Sequence, residues 1–433
     1  MAETYSTLSA LFTDIADAIR EKTGDTASIV ADDFPSVIRR SLQVKIREDC
    51  LTFSSPSAFS IKTNNTSKNW DGTLEYSTNK KSWIEWNGEE ISAASGADGY
   101  VLYFSGIGNT IIAGNNSNYK WVLTGSDISC IGNIETLLDY ATVEFGNHPT
   151  MAPSCYYSMF SGCTSLTQAP ALPATTLADS CYQFMFYGCT NLIQAPALPA
   201  TTLADSCYDS MFNGCTSLTQ APVLPATTLI YTCYYNMFQG CTSLTQAPAL
   251  PATTLDNYCY EGMFENCTAL TQAPALPATT LANYCYQNMF RGCTGLTQAP
   301  ALPAKELADY CYTCMFQDCT SLTQAPALPA TTLASSCYRY MFQGCTSLTQ
   351  APALPATTLA NYCYQYMFRD CTSIKLSTAR TGEYTIAYRI PMSGTGTTAT
   401  RSLFSMFTGT GGTFTETPEI NTTYYLSNTN TVV

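Results

Sequence analysis

Apolar and polar positions alternate differently in four stretches of the chain. In residues 1–42, Leu8, Leu11, Phe12, Ile15 and Ile19 fall at helical spacing, with Asp14, Asp17, Arg20 and Glu21 largely off that face. Lys22 and Gly24 supply a C-terminal stop, and Phe34, Val37, Ile38 and Leu42 fit a second short helix. Two such helices bury little by themselves, so the stripe predicts an attachment and oligomerisation segment, trimeric or docked on a larger assembly. From 43 to 150 the period drops to two. "FSIKTNNTSKNWDGTLEYSTNKKSWIEWNG", "YVLYFSG", "TIIAG" and "YKWVLTG" alternate between Asn/Gly turns, which predicts a small β-sandwich.

The third stretch, 151–376, repeats itself nine times. Cys155, Cys181, Cys207, Cys233, Cys259, Cys285, Cys311, Cys337 and Cys363 stand 26 apart without one insertion, and a second cysteine column runs from Cys163 to Cys371. A fixed period of this length predicts a solenoid in which each copy covers its neighbour. Within a copy, "TSLTQAP" offers an extended stretch that Pro170 must end, because proline cannot donate to a ladder. Sixteen of the 22 prolines occupy the Pro170 and Pro173 columns, which makes them structural punctuation. Thr175 or Thr176 can cap a helix that starts beyond them. Leu177, Cys181 and Met185 then recur every four residues, flanked by Tyr182 and Phe186, which predicts a short helix ended by Gly188. One strand and one helix per copy would give an α/β array whose nine parallel strands, at about 4.8 Å spacing, make a sheet about 40 Å long. The last stretch, 377–433, is rich in Gly, Thr and Tyr, and its "SMF" echoes the "MF" of each copy. It predicts a C-terminal cap.

Composition narrows the possible chemistry. With 45% hydrophobic and only 12% charged residues the chain is ordered rather than disordered. A net charge of -13 without a basic run excludes a nucleic-acid backbone as partner. No segment approaches the roughly 20 apolar residues of a membrane helix, and the first residues lack a secretory pattern. The protein is therefore expected to be made in a cytoplasm, with no membrane insertion and with its 21 cysteines mostly as thiols. A helix would hold Cys181 and Cys189 roughly 12 Å apart, beyond the ~7 Å that a disulfide tolerates. Zinc is disfavoured by a single histidine, His148, and a lone Cys-x-x-Cys at 311–314, so the thiols read as small buried groups and no metal or other cofactor is expected.

The unit "MFxGCTSLTQAPALPATTLAxxCY" resembles the BspA-like leucine-rich repeat family in its short, cysteine-bearing form. The resemblance covers about half the chain. It implies a surface adhesin of gut or oral bacteria, or a protein of the phages that infect them. "MFTGTGGTFTETPEINTTYYLSN" resembles the usual terminus of such arrays. "LFTDIADAIREKTGDTASIVADDFPSVI" is similar to a short helical module that opens phage and prophage tail-associated proteins. Neither resemblance brings a catalytic residue. "LPATT", present seven times, lacks the final glycine of the cell-wall anchoring signal LPxTG.

Copies of the unit differ in three columns four residues apart, those of Asp179, Gln183 and Tyr187. Their members include Asp209, Tyr231, Tyr235, Glu261, Gln287, Arg339 and Gln365, and also Asn213, Gln239, Glu265, Arg291, Gln317, Gln343 and Arg369. A fourth column, with Phe184, Tyr340 and Tyr366, edges them. Opposite the Leu177/Cys181/Met185 stripe these positions form an outward, convex face. Either they drift because nothing constrains them, or their Tyr, Arg, Gln and Asp form a recognition face. The other surface, with the small Thr167 and Ala169 columns, would suit a repetitive polysaccharide or no ligand. Trp70, Trp83, Trp86 and Trp121 read as sandwich core before they read as a carbohydrate platform.

Catalysis finds little support. His148, in "FGNHPTM", has no nucleophile elbow nearby, and Glu75, Glu85, Glu89 and Glu90 are indistinguishable from solvated acids. The sequence thus predicts a non-enzymatic phage virion protein that attaches through its N-terminal segment to other tail or baseplate proteins. Its solenoid would bind a glycan or protein of the bacterial surface. The alternative is a bacterial surface adhesin with the same array.

Overall fold

In the computed structural model, which describes Asp17 and residues 47–65, 68–114 and 119–433, period-two alternation builds two facing sheets ahead of the repeats. Strands β1 (Leu51–Ser55), β3 (Thr73–Ser77), β4 (Ile84–Glu85), β6 (Ala94–Gly96), β7 (Gly99–Ile107) and β9 (Ile128–Ile131) form the larger one. β2 (Ser60–Thr63), β5 (Ile91–Ser92) and β8 (Trp121–Thr124) form the smaller. Phe53, Phe104, Trp86 and Trp121 meet between them, with Trp86 and Trp121 ring centroids 4.9 Å apart. Trp70 stacks on Trp86 at 5.3 Å, so three of the four tryptophans are core, while Trp83 carries the Arg47 guanidinium 4.3 Å above its ring. The helices expected over 1–42, with their stripe of Leu8, Leu11, Phe12, Ile15 and Ile19, lie outside the described residues.

The alternation pattern did not announce one element, the helix α1 (Thr136–Glu144), which buries Leu137 and Leu138. It lies so close to β7 that a Cβ on Gly106 would meet the Leu137 carbonyl oxygen at 1.6 Å. Asp139 breaks its helical dihedrals, and Asp139 Oδ2 restarts the helix by accepting from Thr142 Oγ1 at 2.6 Å.

The repeats correct the expected strand-plus-helix unit. No helix forms over 177–189, where hydrogen bonds alternate between two destinations. Met185, Tyr187 and Cys189 donate backward within the copy, to Tyr182, Phe184 and Phe186 oxygens at 3.1 Å each. Tyr182, Phe184, Phe186 and Gly188 donate instead to the next copy, to Cys207, Asp209, Met211 and Asn213 oxygens at 3.0, 2.9, 3.0 and 2.7 Å. Ser180, Phe184 and Gly188 are left-handed, with φ of 54°, 56° and 68°. A left-handed residue every fourth position cannot sit in an α-helix. The segment is a ribbon of overlapping turns.

The ribbon buries residues in adjacent pairs. Cys181 with Tyr182 and Met185 with Phe186 are at most 1% exposed. Equivalent tyrosines from Tyr156 to Tyr364 stack at 5.6–5.9 Å and equivalent phenylalanines from Phe160 to Phe368 at 5.6–5.8 Å, all within 14° of parallel. Burying each such side chain contributes about 1.5–3 kcal/mol, so each copy depends on its neighbours for most of its core.

On the opposite side the expected nine-stranded sheet is reduced to bridges. Apart from β10 (Leu166–Gln168) and β11 (Gln350–Ala351), the copies pair only at single positions, such as Gln194↔Gln220 and Thr176↔Thr202. These flank Pro170 and Pro173 and their equivalents, which have no N–H to extend a ladder. All 21 cysteines are free, and all but Cys314 are buried. The second column also ties copies together. Cys189 Sγ lies 3.1 Å from the Phe160 oxygen of the preceding copy, a contact renewed by Cys215, Cys241, Cys267, Cys293, Cys319 and Cys345.

Both ends of the array are met. β10 pairs in parallel with β9, and Ile112 and Trp121 donate to Cys155 and Met159 oxygens of the first copy at 2.9 and 2.7 Å. At the far end Tyr362, Tyr364, Tyr366 and Phe368 donate to Thr400, Ser402, Phe404 and Met406 oxygens, and Phe407 stacks on Phe368 at 5.6 Å. The "SMF" echo is thus a final ribbon. It is backed by a sheet of β12 (Lys375–Ser377), β13 (Tyr384–Arg389), β14 (Gly411–Gly412) and β15 (Thr423–Ser427), while β16 (Thr431–Val432) pairs with β11.

The Gly188 column reads Gly240, Asn266, Gly292, Asp318, Gly344, Asp370 and Gly409 in its later copies. A Cβ on Gly292, Gly344 or Gly409 would lie 2.2–2.3 Å from the Asn266, Asp318 or Asp370 Oδ1 before it, whereas Gly188 has nothing nearer than 3.9 Å. Gly188→Ala should cost about 1–2 kcal/mol, the left-handed strain alone. Gly292→Ala should cost at least about 1 kcal/mol more, and Asn266→Gly should remove that excess. Denaturant unfolding of the three variants checks this, and equal costs for Gly188→Ala and Gly292→Ala would refute it.

Candidate functional site

The ribbon carries the variable columns outward, but not uniformly. Asp179 and Tyr187 are exposed, and Gln183 is half-buried. Gln183's column sinks in places: Asp209 is 8% and Gln365 2% exposed, against the expectation of a freely outward column. The reason is the pairwise burial of the ribbon, which sets this column beside the aromatic stacks rather than diametrically opposite them.

The Asp179 column works between copies. Asp179 Oδ1 accepts the Asp205 N–H at 3.2 Å, Asn283 Oδ1 that of Asp309 at 3.1 Å, and Asp309 Oδ1 that of Ser335 at 2.8 Å. The Tyr187 column forms a side-chain chain along the array. Asn213 Nδ2 donates to Gln239 Oε1 at 2.6 Å, Gln239 Nε2 donates to Glu265 Oε2 at 2.8 Å, and Arg291 Nη1 reaches Glu265 Oε1 at 3.4 Å. Gln183 Nε2 similarly donates to Asp209 Oδ2 at 2.6 Å. Phe184 packs edge-on against Tyr157 and Tyr187, and Tyr340 stacks on Tyr366 at 4.8 Å. Tyr235, Gln287, Gln317 and Gln343 are half-buried members of the same rows, and Tyr231 is 46% exposed.

Electrostatics single out the middle of this face. Burial pushes the Asp209 carboxyl up to about 6, opposed by hydrogen bonds from Ser210 and Gln183. Burial, then the charge of Glu265, pushes Glu261 up to about 7. Glu265 is raised by burial and held back by Arg291 and Gln239.

An aromatic row escaped the sequence reading. In the Ser180 column, Tyr258 stacks on Tyr284 at 4.5 Å and Tyr284 on Tyr310 at 4.6 Å. Its signal is present in the sequence, since tyrosine replaces serine or threonine there in successive copies. Arg401 and Phe404, in the final ribbon, were missed because that copy is out of the 26-residue register.

The proline side presents hollows instead of a flat sheet. One of about 700 Å³ lies between Ile131, Gln168, Pro170, Pro173, Gln194 and Pro199, and another of about 460 Å³ lies one copy on. Ile193 and Val223 stand 55% and 77% exposed beside them. In the sheets that precede the array, Glu75 is paired with Arg47 at 2.8 Å and Glu90 with Ser60 and Lys62, while Glu85 and Glu89 line a hollow of about 440 Å³. His148 Nδ1 lies 2.8 Å from Glu135 Oε2, whose carboxyl is raised by burial against the His148 bond. Among the described residues no group of three or more His, Cys, Asp or Glu could hold a metal ion, and no helix is long and apolar enough to cross a membrane.

Residues 147–271 and 302–389 match the BspA type leucine rich repeat region in six copies. Those two stretches of the stacked array are therefore similar to BspA-type leucine-rich repeats. Neither the curated proteins nor the solved structures contain a match to the chain.

Asp209 and Glu261 titrate higher in the folded chain than unfolded, so the folded state holds more protons between about pH 4 and 7. Stability must then fall as pH rises through that window. The thermal midpoint should be ~3 °C higher at pH 5 than at pH 7.5, and Asp209→Asn with Glu261→Gln should erase most of the difference. A midpoint that rises with pH in the native chain would contradict the assignment.

Proposed function

On an array similar to BspA-type repeats, we propose that this protein acts without catalysis, as an attachment protein of a phage virion whose turn face binds the bacterial surface. One observation carries the reading. An invariant backbone ribbon, fixed copy to copy by hydrogen bonds, displays different Tyr, Arg, Gln, Asp and Glu side chains at each rung. Such a surface is rigid beneath and diverse above, the combination that recognition needs. The similarity of residues 11–38 to the opening of tail-associated proteins supports the virion as its setting, with tail or baseplate proteins as structural partners. A bacterial surface adhesin is the second reading, favoured by the repeat type alone.

Two measurements test it. Immunogold electron microscopy with an antibody to the repeats should label a tail tip or fibre on particles from a lysate of the source culture. Label confined to intact cells would replace the virion reading with the adhesin. The stripe of Leu8, Leu11, Phe12, Ile15 and Ile19 is proposed to hold a homo-oligomer, a trimer. Leu11→Glu with Ile15→Glu should then reduce the mass seen by light scattering to that of one chain, and an unchanged mass would sink the oligomer.

A further inference from the structure

Charge is distributed unevenly along the turn face. Its middle carries Asp205, Asp209, Asp256, Glu261 and Glu265, in keeping with a chain of net charge -13. Its C-terminal end carries arginines held against aromatic rings. Arg339 lies 4.8 Å from the Tyr340 ring centroid and 5.8 Å from that of Tyr362, and its Nη2 donates to Tyr340 Oη at 3.3 Å. Tyr340 stacks on Tyr366, Arg369 lies 5.4 Å from the Tyr366 ring, Tyr366 meets Phe404 edge-on at 5.6 Å, and Arg401 lies 5.3 Å from the Phe404 ring. These contacts join three guanidinium groups and four rings into one connected surface over the last three ribbons.

We propose that this surface binds an anionic saccharide, one bearing carboxylate or phosphate groups. The proposal deepens the attachment reading and rests on it. A guanidinium laid on a ring is pre-oriented, and its edge N–H groups stay free to fork onto a carboxylate or phosphate. Among the described residues, neither Arg339 nor Arg401 has an ion pair with a carboxylate, although acids outnumber bases 32 to 19. Arg369 is 42% exposed and shares its charge with Asp370 at 3.4 Å. Arg339 Nε is buried without a partner. Beside the patch, Arg401, Ser402 and Phe404 face Thr417, Pro418 and Glu419 across a hollow of about 510 Å³, within the ~300–1,000 Å³ of small-ligand sites. Phe404 is 38% exposed there, a ring against which a sugar can pack. Glu419 on the rim suits hydroxyl groups, which a carboxylate accepts from. A nucleic acid is a poorer fit, because three arginines in an acidic chain do not make a phosphate track.

Affinity electrophoresis of the full chain tests this with four probes: polygalacturonate, phosphorylated dextran, neutral dextran and a single-stranded oligonucleotide. Retention is expected with one or both acidic polymers, weakening with salt, and none with dextran. Which acidic polymer is retained tells carboxylate from phosphate recognition. Arg339→Gln, Arg369→Gln and Arg401→Gln together should weaken retention at least tenfold without shifting the thermal midpoint. The triple Lys variant keeps the charge but loses the fork, and should fall between. No retention by either acidic polymer, equal retention by dextran, tighter binding of the oligonucleotide, or undiminished binding by both triple variants would each overturn the proposal. Native protein that binds host cells but no acidic polymer sinks this proposal alone. Binding of the polymers without binding of cells sinks the attachment reading instead.

Discussion

Half of the backbone donors on the turn face find their acceptors only in another copy. Tyr182, Phe184, Phe186 and Gly188 have no partner inside their own 26 residues, and the same holds at every rung to Phe368. An unmade buried hydrogen bond costs roughly 1–3 kcal/mol, so a free copy would lose more than its own core supplies. This one requirement explains the unbroken register, since a single inserted residue would move all four donors off their acceptors. It also explains why the array is bounded on both sides, by the sheets that take Cys155 and Met159 oxygens and by the ribbon from Thr400 to Thr408 that receives the last donors. The tyrosine and phenylalanine stacks and the thiol contacts arise from the same translation of one copy onto the next.

Much of this is written legibly in the sequence, and the illegible part has a physical cause. The cysteine columns fix the period, the paired prolines mark where pairing must stop, and "SMF" marks the closing ribbon. Three of the four tryptophans sort correctly into a core, and Trp83 does not. The secondary structure of the unit is not legible in the same way, because Leu177, Cys181 and Met185 at four-residue spacing fit a helix and a turn ribbon equally well. Burial of Tyr182 and Phe186 together with Cys181 and Met185 does not separate the two either, because at 100° per residue those four positions of a helix also share one face, an arc of about 140°. The ribbon is distinguished by its left-handed residues at Ser180, Phe184 and Gly188 and by N–H groups that donate to the next copy. The same error of geometry misplaced the Gln183 column, of which Asp209 and Gln365 are buried. The strand reading failed for a simpler reason, since "APALPA" has two positions that cannot donate.

The candidate site was readable as a set of variable columns but not as a division of labour. Asp179 and its equivalents join copies, the row from Asn213 to Arg291 forms a side-chain chain, and the C-terminal end gathers arginines laid on aromatic rings, of which Arg369 alone is paired with a carboxylate. That difference depends on neighbours 26 or more residues away, which no local pattern displays. Because the rest of the face is acidic, an approaching anion is repelled from the middle of the array and drawn to the patch beside the closing ribbon. The face is therefore directional: it has one end that attracts and a long acidic body that does not.

The Asn266–Gly292 contact governs how such an array can grow. Doubling the copy that bears Asn266 would set asparagine where the glycine now stands, with a Cβ in the space that the first amide oxygen fills. The Asp318 copy carries the same restriction through Gly344. Unequal crossing-over between near-identical units would be tolerated at Gly188 and Gly214, where glycine succeeds glycine, whereas the copy of Gly240 is restricted by its own Asn236, whose Oδ1 fills the space a Cβ on Gly262 would need. Towards the C-terminus it would succeed only by adding two copies at once. The array's length is thus open to change one copy at a time near its beginning and in pairs near its end, which leaves the arginine-bearing copies the least easily displaced.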